Sequence, residues 1–185
     1  MFVPFYMQEY FNKAQIVDKE GQTRPLVAKE EKIVITGKTP ADFVSGGITP
    51  MQSASLLLIL VAGISIYGIR RGKTLWGIDL ILFLIAGMAG CILAFLALFS
   101  QHPAVSPNYI LFVFHPFHLF CLPFMLSRVR KREISRYMLV NFAVLTLFIG
   151  LWTIIPQRIP PAVLPLALCL LIRSASNLIL TYKRR

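Results

Sequence analysis

The fold class follows from residues 75–99, which read LWGIDLILFLIAGMAGCILAFLALF and contain a single charged side chain, that of Asp79. An α-helix of about 20 apolar residues crosses the ~30 Å hydrocarbon core of a bilayer. Core helices of soluble domains are amphipathic instead, with a polar face toward water. We therefore interpret residues 75–99 as a membrane-spanning helix.

Four further apolar runs flank this helix along the chain. They predict spans at 51–69, 107–126, 137–155 and 162–181. The run at 107–126 contains Pro116 and Pro123, so we expect a kinked span there, with a re-entrant segment as the alternative. The predicted fold class is an all-α membrane protein with about five transmembrane helices in a bundle.

Residues 1–50 differ in composition and form a separate predicted domain. They hold six basic and six acidic side chains. The runs AQIV (14–17) and KIVIT (32–36) are β-prone and flank a turn signal at 19–21, which predicts a small β-hairpin followed by a linker. A hairpin this small needs a larger body to pack against. We therefore predict two domains: 1–50, an exported remnant of a periplasmic domain, and 51–185, the transmembrane domain.

The basic residues of the transmembrane part lie in alternate connectors. They occur in RRGK (70–73), in SRVRKREISR (127–136) and in the final KRR, whereas the second connector (100–106) has none and the fourth has only Arg158. Because cytoplasmic loops carry the excess of Lys and Arg, this pattern predicts an external N-terminus and a cytoplasmic C-terminus. Short basic connectors favour membrane lipids as partners and argue against nucleic acid, despite the net charge of +11.

This orientation requires residues 1–50 to cross the membrane. The first residues, MFVPFYM, are too short for the apolar core of a signal peptide and follow no basic segment. Either the first span carries this segment across, or the chain is the C-terminal part of a longer exported protein. We favour the second expectation.

Two ionisable residues inside the predicted spans are candidates for function or structure. Asp79 lies near the start of the second span and Arg173 lies in the fifth, both toward the cytoplasmic side. Buried charges in a membrane are costly and therefore pair. We predict an intramembrane ion pair between them, with a lipid-headgroup or proton-relay role as the alternative.

A second group of polar candidates lies toward the outer side of the third span: His102, Asn108, His115 and His118. On a continuous α-helix, Asn108, His115 and His118 share one face. We predict hydrogen bonds between helices, or a surface that faces a lipid or substrate. The sequence suggests no third ligand for a metal ion at the two span histidines.

Signs of catalysis are missing from the sequence. There is no Walker loop, GxSxG, HExxH or dinucleotide fingerprint, and Cys91, Cys121 and Cys169 all lie within apolar runs. We therefore predict no catalytic residue, no cofactor and no metal in this chain. The small residues of AGMAGC (86–91) predict close packing against another helix.

Two stretches resemble a known family. YMQEYFNKAQIVDKEGQTRPLVAKEEKIV (6–34) and FSQHPAVSPNYILFVFHPFHLFCLP (99–123) are similar to the domain junction and to the outer connector of the Lnb-like envelope proteins of Bacteroidetes. Members of that family join an exported thiol-hydrolase-like domain to a C-terminal transmembrane domain, and the best-known ones are linked to N-acylation of lipoproteins. His102, Pro103, Asn108 and Pro116 match the family's recurring positions.

The resemblance implies a function and a location. The family's reactive cysteine and its partner histidine belong to the exported domain, so this chain should not catalyse acyl transfer alone. We expect a multi-pass protein of the bacterial inner membrane that anchors such a domain, encoded upstream, and presents a phospholipid acyl donor to it. The alternatives are a small transporter or channel accessory subunit and an intramembrane enzyme that uses His115 and His118.

Overall fold

The computed structural model describes residues 10–17, 21–27, 47–100 and 107–183. The chain divides into two compact units, Met1–Gly47 and Ile48–Arg185. In the first unit, strand β1 (Gln15–Val17) pairs antiparallel with β2 (Thr23–Pro25). The predicted second strand was 32–36, which lies outside the described residues. The partner of β1 is instead the segment just after Gly21, whose φ of 80° suits the turn of a short hairpin.

The second unit is helical, which confirms the predicted fold class. Its helices are α1 (Pro50–Arg71), α2 (Trp76–Phe99), α3 (Phe117–Phe120), α4 (Leu122–Lys131), α5 (Arg136–Gly150) and α6 (Val163–Tyr182), with a 3-10 helix at Tyr109–Phe112. α1 begins with a capping box in which Thr49 and Gln52 exchange side-chain and backbone hydrogen bonds. It ends at Gly72, whose φ of 62° closes the helix in the left-handed region.

The helices differ in how well they match the five predicted spans. Among the described residues, α1, α2 and α6 are long and apolar enough to cross a bilayer alone. α5 is a shorter apolar helix of 15 residues, about 22 Å long at 1.5 Å per residue. After α5 ends, the chain continues through turns at 151–154 into the fourth connector.

The third predicted span is broken rather than simply kinked. The helical pieces at 109–120 and 122–131 form an angle of 78°. Pro116 caps α3 and Pro123 lies in the first turn of α4, where a helix does not need the missing N–H. Each proline therefore begins a new helix. The sequence predicted one kinked span here, and the structure shows two helical pieces at a sharp angle.

The broken segment reaches both ends of the bundle. At one end the backbone N–H of Tyr109 donates to Oε1 of Gln157 in the fourth connector, over 2.7 Å. At the other end the guanidinium of Arg130 lies 4.4 Å from the centre of the Trp76 ring, at the start of α2. Contacts at opposite ends of the bundle are those expected of a broken span rather than of a re-entrant segment.

Helix α6 is the centre of the bundle. It packs against α1, α5 and α2. In its most apolar 18-residue stretch, 56% of the residues are buried, against 22% in the corresponding stretches of α1 and α2. α1 and α2 therefore present most of their apolar side chains outward, as helices in contact with lipid do. The buried face of α6 carries an unusual share of polar side chains: Arg173, Ser174, Ser176, Asn177 and Thr181.

Candidate functional site

The arginine cluster consists of Ser65, Asp79, Arg173 and Asn177, from α1, α2 and α6. Nε of Arg173 donates to Oδ1 of Asp79 over 2.7 Å, and Nη2 donates to Oδ2 over 3.0 Å. This is the bidentate geometry in which a guanidinium and a carboxylate bind most strongly. Both side chains are buried, with 1% and 0% exposed. The structure thus brings the two predicted residues directly together.

Two neutral residues complete the arginine cluster. Nη1 of Arg173 donates to the Ser65 hydroxyl over 3.0 Å, and Nδ2 of Asn177 donates to Oδ2 of Asp79 over 3.0 Å. Asp79 also lies in the first turn of α2, where the helix dipole favours a negative charge. The cluster therefore neutralises two buried charges and joins three helices. A second polar link, from Nδ2 of Asn141 to the Ser174 hydroxyl over 2.9 Å, ties α5 to α6.

The histidine cluster consists of His115, His118 and Tyr137. The two imidazole rings stack with their centres 3.9 Å apart and their planes 17° apart. The His118 ring is 2.9 Å from the carbonyl oxygen of Val113 through Nε2, and 2.6 Å from the Tyr137 hydroxyl through Nδ1. A carbonyl can only accept, so Nε2 carries the proton, and when the ring is neutral Tyr137 donates to Nδ1. His118 is thereby held in one orientation between α3 and α5.

Nδ1 of His115 is buried and has no hydrogen-bond partner among the described residues. Such atoms are uncommon in native structures, where a protein group or an ordered water normally satisfies them. The stacked pair therefore offers one polar atom to a small polar group inside the bundle. Among the described residues there is no group of three or more His, Cys, Asp or Glu side chains suited to a metal ion.

Two glycines of α2 let the histidine cluster approach closely. A Cβ at Gly90 would lie 2.5–2.7 Å from backbone atoms of His115, and one at Gly87 would lie 2.6 Å from the backbone nitrogen of Leu119. The AGMAGC run was predicted to pack against a helix. Its partner is instead the non-helical turn and short helix at 115–119, which the sequence did not indicate.

Residues 42–185 match the model of the Lnb transmembrane domain (5TMH). The chain belongs to this family. The match covers all six helices of the second unit and bears out the resemblance noted from the sequence. No curated protein and no solved structure matched the chain.

The other predicted site residues of this Lnb transmembrane domain occupy different places. His102 lies outside the described residues. Asn108 caps the 3-10 helix, where its Oδ1 accepts from the backbone N–H of Ile110 over 3.1 Å. The α-helical face expected to join Asn108 with the histidines does not exist, because this segment is a 3-10 helix, a turn and two short α-helices.

Sequence reasoning missed several partners in the two clusters: Ser65, Tyr137 and Asn177. Asn177 follows Arg173 by four residues, which places both on one helix face and could have indicated a shared partner. Tyr137 stood at the start of a predicted span, where an aromatic residue is normally explained as an anchor at the membrane surface. Ser65 carried no signal within its apolar run.

Proposed function

We propose that this Lnb transmembrane domain anchors an exported acyltransferase-like domain in a bacterial inner membrane and presents an acyl chain of a phospholipid to it. Membership of the Lnb family supports the anchoring role. The acyltransferase-like domain would be attached to the N-terminal side or supplied as a separate chain. N-acylation of a lipoprotein is the corresponding reaction.

The observation that carries the presenting role is an apolar groove of about 340 Å³ between the 3-10 helix and the C-terminal half of α5. It is lined by Tyr109, Phe112, Val144, Leu147, Phe148, Leu151 and Ile155. Ligand pockets usually measure 300–1,000 Å³. The groove lies at the end of the bundle where Tyr109 bonds to Gln157, opposite to the basic connectors. With the orientation predicted from the connector charges, this end would be the one nearest to an external domain.

The alternative of a transporter or channel subunit has less support. Intramembrane charges mark a pathway when they face a cavity. Here the carboxylate of Asp79 and the guanidinium of Arg173 neutralise each other in a buried pair. That arrangement favours a structural bundle over a conducting one.

Filling the groove tests the presenting role. Leu147 lines the groove and is 63% exposed, so Leu147→Trp should occupy the space without disturbing the core. We expect acyl transfer, measured in membranes that contain the chain together with its exported domain, to fall by about tenfold. That loss corresponds to two buried methylene groups of the acyl chain, at about 0.8 kcal/mol each.

The matched control is Leu139→Trp, on the same helix but outside the groove and 46% exposed. It should leave acyl transfer unchanged at equal protein abundance. If Leu147→Trp kept the same acyl-transfer activity as Leu139→Trp, the groove would have no role in presenting the acyl chain. If both variants kept acyl transfer, and deletion of residues 48–185 released the exported domain from the membrane, the domain would serve only as an anchor.

A further inference from the structure

A shallow basic cleft, largely open to solvent, lies at the opposite end of the bundle, where α4 ends and turns into α5. It measures about 550 Å³ and is lined by Arg130, Lys131, Arg132 and Glu133. The single acid of this lining, Glu133, is itself bound to Arg128 over 2.6 Å. The four lining residues therefore sum to two positive charges, from three bases and one acid. Such a surface attracts a polyvalent anion.

Arg130 has a defined position in this cleft. Its guanidinium lies over the Trp76 ring at 4.4 Å, which ties the end of α4 to the start of α2. Tryptophan at a helix end prefers the membrane surface, at the level of the lipid headgroups. This preference of tryptophan would place the stacked arginine at the depth where lipid phosphates lie.

Arg132 occupies a backbone conformation that normally belongs to glycine. Its φ is 55°, and the turn closes with the backbone N–H of Glu133 donating to the carbonyl of Arg128 over 2.9 Å. The same motif ends α1, where Lys73 N–H donates to Gly68 and the left-handed residue is Gly72. The two turns are equivalent except for the residue in the left-handed conformation, which is a glycine after α1 and an arginine after α4. A side chain makes this conformation less favourable, so the turn at Arg132 is strained.

We propose that this cleft binds the phosphate group of an anionic lipid headgroup. Arginine suits a phosphate because its planar guanidinium donates two parallel hydrogen bonds to phosphate oxygens. Trp76 sets the depth of the site, and the left-handed turn places the Arg132 side chain beside Arg130 at the cleft. This site is independent of the apolar groove proposed to hold an acyl chain, which lies at the other end of the bundle.

The test measures lipid bound to the full 185-residue chain in mild detergent by native mass spectrometry, with phosphatidylglycerol and phosphatidylcholine as probes. We expect retention of phosphatidylglycerol over phosphatidylcholine. The Arg130→Gln/Arg132→Gln variant should bind phosphatidylglycerol about 25-fold more weakly, or about fivefold for each arginine, because each loses hydrogen bonding to the phosphate worth about 1 kcal/mol.

The control variant Arg70→Gln/Arg71→Gln removes the same charge from the exposed end of α1. It should change binding by no more than about twofold, because detergent solution lacks the surface potential of a membrane. An equal loss in both variants would overturn the proposal in favour of general charge attraction. Excess inorganic phosphate distinguishes the source: it leaves the lipid bound if a headgroup is the occupant, and displaces it if the cleft holds free phosphate.

Arg132→Gly separates binding from folding. Glycine relieves the strained backbone, so the melting temperature should rise, while phosphatidylglycerol binding should fall by about fivefold because the guanidinium no longer donates to the phosphate. Unchanged binding by this stable variant would contradict a role of Arg132 in the cleft.

Discussion

Asp79→Asn is expected to lower the free energy of unfolding of the transmembrane unit by about 3–5 kcal/mol, because it leaves the buried guanidinium of Arg173 without a counter-charge. Arg173→Gln should cost a similar amount for the converse reason. Unfolding in mixed micelles with increasing denaturing detergent measures both variants. The effect is large because the uncompensated charge remains inside a bundle that is surrounded by lipid.

The double variant Asp79→Asn/Arg173→Gln distinguishes a pair from two independent residues. An amide at each position can keep hydrogen bonds without any buried charge, so we expect the double variant to be more stable than either single one. Additive losses would show that the two side chains act separately. Glu133→Gln is the matched control. It breaks the pair of Arg128 and Glu133, whose side chains are 61% and 44% exposed respectively, and it should cost less than about 1 kcal/mol.

The second large effect is expected at Gly90. Replacing a glycine by alanine inside a helix normally stabilises it by about 0.5–1 kcal/mol. At Gly90 the new methyl group would lie 2.5–2.7 Å from the backbone of His115, and a backbone cannot rotate away as a side chain can. We expect Gly90→Ala to lower the free energy of unfolding by about 1–3 kcal/mol or more, measured in the same micelles.

Gly63→Ala in α1 is the control for this substitution. Apart from the local backbone of α1, no atom of the described residues lies within 4 Å of a Cβ built there, so the helix should be unchanged or slightly more stable. If Gly90→Ala were as stable as Gly63→Ala, the close approach of α2 to the histidine cluster would be wrong. Displacement of the stacked imidazoles in Gly90→Ala would appear as a change in the histidine ring signals by NMR.

The sequence was sufficient for the helical class, because long apolar runs cross a bilayer only as helices or closed barrels. It was also sufficient to suggest the Asp79–Arg173 pair, since two opposite charges at similar depth have few other partners. The three basic segments, 70–73, 127–136 and the C-terminal end, were expected on one side. Trp76 contacts Arg130, and Thr74, Ser135 and Thr181 lie around one packed site, so the residues that adjoin these segments meet at one end of the bundle.

The histidine cluster was harder to predict. Helical periodicity assumes a continuous helix, but Pro116 and Pro123 restart the chain, so residue spacing there no longer reports which side chains share a face. His118 finds Tyr137 from another helix, 19 residues away along the chain. The partner of Gly90 was hidden for the same reason, because a small residue indicates close approach without indicating what approaches.

Labelling of single cysteines tests the central claim, that the bundle sits with its basic end in the cytoplasm and residues 1–50 outside. In a chain whose three native cysteines are replaced, Thr23→Cys, Lys73→Cys and Arg158→Cys each introduce one exposed thiol. A membrane-impermeant maleimide should label the first and third variants in intact cells, and Lys73→Cys only after permeabilisation. Labelling of Lys73→Cys in intact cells, or of all three alike, would contradict the account.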